Sequence, residues 1–208
     1  MRHLGFAAVG LATLLVAMPL GGSLLGLPLG PSLAQAQQAS VSFSIFFDNL
    51  AQHGRWVHHA RYRNVWCPDV DQTWAPYTHG RWVYLASRGW YFDSDEPFAW
   101  AAYHYGRWFQ DTDLGWCWVP GNVWAPAWVS WRKSNDYVGW APLPPDNDGY
   151  SVGAQVSNLD LPRNNWFFIP TRSFLKPQLS AEIVFGSRQP DVFDEHFIGP
   201  AEPDQIRT

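Results

Sequence analysis

The chain has little charge and almost no lysine. Of its 208 residues only 15% are Asp, Glu, Lys or Arg, against about a quarter in ordinary soluble domains. Lysine occurs twice, at Lys133 and Lys176, and the formal net charge is −4. A nucleic-acid face needs clustered cations to neutralise phosphates, so that partner is excluded. Catalytic signatures are missing too. There is no Gly-x-Ser-x-Gly elbow and no Cys–His signature, so no enzymatic activity is expected. No complete EF-hand or nonapeptide calcium pattern occurs, and no cofactor is expected.

The first stretch lacks charge altogether. No Asp, Glu, Lys or Arg lies between Arg2 and Asp48. Leu4–Ala17 is an apolar run, broken afterwards by Pro19, Gly21 and Gly22, and Ala34-Gln35-Ala36 is a small-x-small cleavage site. Residues 1–36 therefore read as an export signal, and the alternative is a retained membrane anchor. Removal of residues 1–36 takes away Arg2, leaves the mature chain at about −5 and leaves it without a transmembrane segment. The expected location is exported: periplasm, cell envelope or extracellular. Residues 37–52 are a lead-in.

What the chain has in excess is tryptophan. Thirteen of its 14 tryptophans fall between Trp56 and Trp140. They come in a repeat: Gly-Arg-Trp stands at 54–56, 80–82 and 106–108, a period of 26 residues. A partial fourth unit starts at Trp131. Fixed-period self-similarity marks a repeated supersecondary unit that buries its face only against its neighbours. The units are rich in Trp, Tyr, Val and Phe and cut by Pro and Gly, which favours strands over helices. In the second unit, strands are expected around Gly80–Tyr84 and Trp90–Asp93, joined by a turn at Ala86–Gly89. Asp111–Gly115 and Lys133–Asp136 supply later turns. The fold class read from this is mainly β. About seven or eight strands form an antiparallel meander of about 26-residue β-hairpin repeats over 53–145, closing into a barrel or a sandwich. A linker at 146–163, a strand and turn extension at 164–186 with one helical turn capped by Thr171, and a disordered tail at 187–208 complete a small irregular C-terminal segment.

Two-residue alternation assigns faces. Trp and Gly fall on one face, Tyr and Arg on the other. Glycine leaves a hole that a neighbouring ring covers. Arg55, Arg81 and Arg107 with Tyr77 and Tyr103 make a periodic stripe, the candidate ligand surface. Aromatic rings there stack on sugars or Pro-rich peptide, and the guanidinium groups suit acidic glycan or lipid phosphate. The competing reading places the tryptophans, and arginines stacked on them, in the core.

Cys67 and Cys117 are a candidate disulfide in an exported chain. In an open meander their strands stand about 19 Å apart, too far for a bond that needs Cα atoms within about 7 Å. A bond between them therefore requires the sheet to close or fold back. The alternative is two small buried thiols. Asp-x-Asp pairs recur, and Asp69, Asp95 and Glu96 are weak calcium candidates, with turn formation as the alternative. His58 and His59 point to opposite strand faces, so one ion cannot easily hold both, and no metal is expected.

The segments GRWVY, PYTHGRW, AYHYGRW, GNVWAPAWVSWR and YVGWAPLPP resemble the Trp-rich exported bacterial proteins classed as domain of unknown function 6600, similar in style to YXWGXW repeat proteins. The likeness covers about 50–175. Cys67 and Cys117, and Asn64 where Trp90 and Trp116 stand in other units, depart from it. The resemblance implies class and location but no mechanism. The expected role is binding or scaffolding through the aromatic and Arg surface, with an envelope glycan or a protein as partner. The alternatives are a carbohydrate- or peptidoglycan-binding module and, using Asp69 with Asp95, a glycan-active enzyme.

Overall fold

Each Gly-Arg-Trp segment opens a hairpin, and close approach explains why. A Cβ on Gly54 would lie 2.4 Å from the Cys67 carbonyl oxygen and 2.8 Å from the Trp66 ring. On Gly80 it would meet the Asp93 carbonyl oxygen at 2.3 Å and the Phe92 ring at 3.0 Å. On Gly106 it would meet the Val119 carbonyl oxygen at 2.1 Å and the Trp118 ring at 2.7 Å. In every case the covering ring stands 12 residues after the glycine. Gly106 also has φ +64, a conformation that side chains disfavour. The tryptophan of each motif pairs across the hairpin with that same ring: Trp56 with Trp66, Trp82 with Phe92, Trp108 with Trp118.

The computed structural model describes residues 43–145, 161–186, 199–201 and 203–206. The expected signal sequence and residues 146–160 of the linker lie outside them. The element order is helix α1 (residues 43–50), β1 (Gly54–His59), β2 (Arg63–Pro68), β3 (Arg81–Leu85), β4 (Gly89–Asp93), α2 (Ala99–Ala102), β5 (Arg107–Asp111), β6 (Gly115–Val119), β7 (Val129–Lys133), β8 (Tyr137–Pro142), β9 (Phe167–Pro170), β10 (Val184–Phe185) and β11 (Gly199–Ala201), with short 3-10 turns at Arg163–Asn165, Thr171–Ser173 and Pro203–Ile206. The protein is mainly β, with antiparallel pairing throughout and no closed barrel among the described residues.

A single meander is not what forms. The sheets are β1-β2-β6-β5, β10-β9-β8-β7-β11, and β3-β4 alone. The first and third hairpins pair through β2 and β6, and the second stands outside that sheet. This brings Cys67 and Cys117 together, and they form a disulfide with Cα atoms 4.2 Å apart. The sheet folds back by skipping a hairpin, without closing.

All three sheets share one aromatic core. Trp66, Trp108, Trp118, Trp140 and Trp166 are almost wholly buried. Trp82 of β3 packs 4.6 Å from Trp131 and 5.7 Å from Trp140. Burying one such ring removes about 150–250 Å² from water, or about 4–6 kcal/mol before conformational entropy is charged. The core reading of the tryptophans therefore holds for most of them. Trp100, at 44% exposure, is an exception.

Two expectations for the C-terminal part need correction. Thr171 caps no helix: it begins a 3-10 turn whose N-cap is Pro170. Its N–H donates to the Asp136 carbonyl at 2.8 Å and its hydroxyl to the Asn135 carbonyl at 3.3 Å. The tail expected to lack order supplies β11, paired with β7, and buries Ile206 completely. Its Pro and acid content hid one apolar anchor.

Candidate functional site

The periodic stripe does not reach the surface as a unit. Tyr77 and Tyr103 are fully buried. Tyr77 Oη donates to the Tyr103 carbonyl at 2.9 Å and accepts the Trp128 N–H at 3.2 Å. Tyr103 Oη bonds to Glu96. Burial pushes both phenols above their ordinary pKa, and the Glu96 charge pushes Tyr103 further. Arg107 is buried as well, its guanidinium 3.5 Å from the centre of the Trp128 ring. Arg81 is exposed and paired with Asp93 at 2.6 Å. Arg55 is exposed. The alternation failed because Tyr77 follows Pro76 in a loop with φ +61, so strand faces cannot be counted through it. Tyr103 directly follows α2.

The calcium candidates do not converge. Glu96 accepts the Trp74 Nε1–H at 2.7 Å and bonds to Tyr103 and Ser94. Asp69 lines the cleft described below; Asp95 does not. Among the described residues no three His, Cys, Asp or Glu side chains are grouped to hold a metal.

A cleft of about 580 Å³ lies where three segments meet, within the range of small-molecule sites, about 300–1,000 Å³. One wall is the loop from Pro68 to Ala75, which follows β2. Another is the β5–β6 turn from Thr112 to Trp116. The third side carries Phe167 and Phe185 from β9 and β10. Trp116 lies 6.4 Å from Phe167, and Phe167 meets Phe185 edge-on at 5.5 Å.

The β5–β6 turn is held by Asp111. Its Oδ1 accepts the N–H groups of Asp113 at 2.8 Å and Leu114 at 2.9 Å. Those two bonds, the one from Leu114 first, hold its carboxyl below the usual range. His59 Nε2 stands 3.5 Å from its other oxygen. Several polar groups that line the cleft itself are differently placed. The side chains of Asp69, Asp71, Gln72 and Asp113 are exposed, as is Arg55 at the end of β1, and none has a partner among the described residues. Acceptors, donors and ring faces thus line one concavity with their hydrogen-bonding capacity unspent.

Sequence reasoning singled out Asp69 and Arg55 and missed Trp116, Phe167 and Phe185. The strand and turn extension expected over 164–186 carries no local signal that sets it against a turn some 50 residues upstream.

The model of a family of unknown function, DUF6600, matches residues 47–147, the Trp-rich segment. That span holds four hairpins and two of the cleft's three sides. No curated protein matches the chain, and no solved structure matches it. No helix among the described residues is long and apolar enough to cross a membrane.

Proposed function

We propose that the chain is a non-catalytic, exported binding protein and that this cleft takes a glycan. One observation carries the reading: unpartnered Asp69, Asp71, Gln72 and Arg55 stand beside the rings of Trp116 and Phe185. A sugar has an apolar face that stacks on rings and hydroxyls that need acceptors and donors together. Carboxylates accept, the guanidinium donates, and an amide does both. The disulfide fits an oxidising compartment outside the cytoplasm, where envelope glycan is at hand. The hairpins read as copies of one unit of about 26 residues, packed sandwich-fashion. The glycine-to-ring spacing shared by three of them supports that reading.

The test is co-sedimentation of the chain with insoluble peptidoglycan, chitin and cellulose. Binding to at least one is expected, with a loss of about tenfold or more in Trp116→Ala and in Asp71→Ala and none in Arg81→Ala, whose side chain lies outside the cleft. Each lost charge-assisted hydrogen bond or stacked ring is worth about 1.5–3 kcal/mol. Binding that survives both cleft variants would remove the site from consideration.

A further inference from the structure

We infer that the Cys67–Cys117 disulfide is a positioning element of the cleft, holding two of its polar walls in register at their roots. The inference takes its ligand class from the glycan reading above. The position of the two cysteines in the chain is the first argument. Cys67 is followed at once by Pro68, Asp69 and Asp71, which line one wall. Cys117 is preceded at once by Asp113 and Trp116, which line the other. Each sulfur is therefore the root of one wall.

The backbone pairing beneath the walls is thin. Hairpin β1–β2 registers six paired positions and hairpin β5–β6 five. Between β2 and β6 there is one, Trp66 with Trp118. Continuing that antiparallel register places Cys67 opposite Cys117, on the side where the chains depart into the walls. The covalent bond is the last link before they separate.

The bond also has its own surroundings. Cys67 and Cys117, at 1% and 0% exposure, sit with Tyr62, Val65, Phe109 and Val119 in a small cluster separate from the main aromatic core. The rings of the main core form their own cluster, to which neither cysteine belongs.

A plain stabilising role is the competing account, and it makes a different prediction. Closing a 50-residue separation raises the unfolding free energy and leaves ligand affinity unchanged while the chain stays folded. A positioning role lowers affinity in the folded, reduced chain. Linkage makes the effect reciprocal: a ligand preferring the oxidised form makes the pair harder to reduce by the same factor. A tenfold preference corresponds to about 30 mV for this two-electron couple. The reductant is a dithiol such as dithiothreitol. Its thiolate attacks one sulfur, the S–S bond breaks, and the departing cysteine thiolate takes a proton. The second reagent thiol then displaces the other cysteine, leaving two protein thiols and a cyclic disulfide.

The experiment uses the full chain in four forms: oxidised, reduced, Cys67→Ala/Cys117→Ala, and Cys67→Val/Cys117→Ala, which refills the space if the first variant fails to fold. Hydrogen exchange is read at 68–75 and 112–116 against 81–93. Peptidoglycan pelleting and a dithiothreitol redox titration, with and without N-acetylglucosamine oligomers, complete the set. Expected on losing the bond are wall exchange at least tenfold faster with 81–93 unchanged, and pelleting weaker by about tenfold. The oligomers should make the potential about 30 mV more negative. Unchanged wall exchange, or acceleration spread evenly over all segments, overturns the inference. If the oxidised chain pellets with no glycan, the glycan reading fails, and wall exchange still decides the role of the bond.

Discussion

Hairpins β3–β4, β1–β2 and β5–β6 open on the same three residues, Gly-Arg-Trp, and end in different surroundings. The residue paired with the motif arginine differs: Cys67 faces Arg55, Asp93 faces Arg81, Val119 faces Arg107. Cys67 and Val119 are apolar enough to bury a second sheet face, and their hairpins join there. Asp93 instead holds Arg81 in an exposed ion pair, and that hairpin stays outside the four-stranded sheet. The ends of the motif tryptophans differ as well. A helix precedes the first and third hairpins and offers carbonyls. Trp56 Nε1 donates to Phe47 at 3.2 Å and Trp108 Nε1 to Ala102 at 2.8 Å. A loop precedes β3, and the buried Nε1 of Trp82 has no partner among the described residues. The glycine and its covering ring make a hairpin locally. The residue across from the arginine goes with where the hairpin assembles.

The largest effect should come from the close approach itself. Gly106→Ala places a methyl 2.1 Å from a backbone oxygen at φ +64. Urea unfolding should show a loss of about 3–5 kcal/mol, strain and overpacking together. Gly89→Ala, in the turn of the second hairpin, has φ +86 and nothing within 4 Å. It should lose only about 1 kcal/mol. Equal losses would mean that conformation alone, and not the ring above it, requires the motif glycine.

Next in size is the pair of arginines. Arg107→Ala removes a buried guanidinium from the face of Trp128 and should cost about 2–3 kcal/mol in packing and cation–π attraction. Arg81→Ala removes an exposed ion pair whose side chains are 53% and 39% accessible. It should cost under about 1 kcal/mol. Matching values from the same unfolding assay would erase the distinction between the two hairpins.

Much of the local structure was legible in the residues. The Ala86–Gly89 turn and its flanking alternation located β3 and β4 to within a residue. Asp111–Gly115 and Lys133–Asp136 fell between strands as their turn chemistry requires. Sheet order was not legible, because period alone makes all units equivalent and the choice of partner rests on single residues such as Asp93. The cysteines did carry the signal. A bond between them required the sheet to close or to fold back, and folding back is what forms. The cleft itself was not legible: Asp69 and Arg55 were singled out for other roles, and Phe167 and Phe185 reach it only through tertiary pairing.

A smaller difference tests the orphaned indole. Trp82→Phe and Trp108→Phe both shrink a buried ring. Only the second breaks a hydrogen bond and strands the Ala102 carbonyl. Trp108→Phe should therefore cost about 1–2 kcal/mol more. The reverse order would show that Trp82 Nε1 has a partner, such as ordered water.

The smallest effect concerns what ties the second hairpin to the rest. His104 is buried with its ring 4.5 Å from Tyr91 of β4 and 5.8 Å from Trp124 in the loop after β6. Its Nδ1 lies 3.2 Å from the Ala125 carbonyl. The Phe92 N–H donates to Pro126 in that same loop, at 3.2 Å. Burial pushes the His104 pKa down, against the weaker opposing pull of the Ala125 and Pro126 carbonyls and of Asp93. An unfolded histidine titrates near about 6.5, so the unfolded chain takes up this proton first as pH falls. The stability owed to the neutral ring is complete above that value and drains away as pH drops below it toward the lowered folded value. Wild-type stability should thus decline as pH falls below about 6.5, and His104→Phe, which keeps a stacked ring without the charge, should flatten that part of the profile. The Asp111 contribution is lost only in the carboxylate range below, as pH falls through its depressed folded value, and is common to both proteins. Parallel profiles above the carboxylate range would show that protonated His104 is tolerated, and that the backbone bond from Phe92 carries the junction.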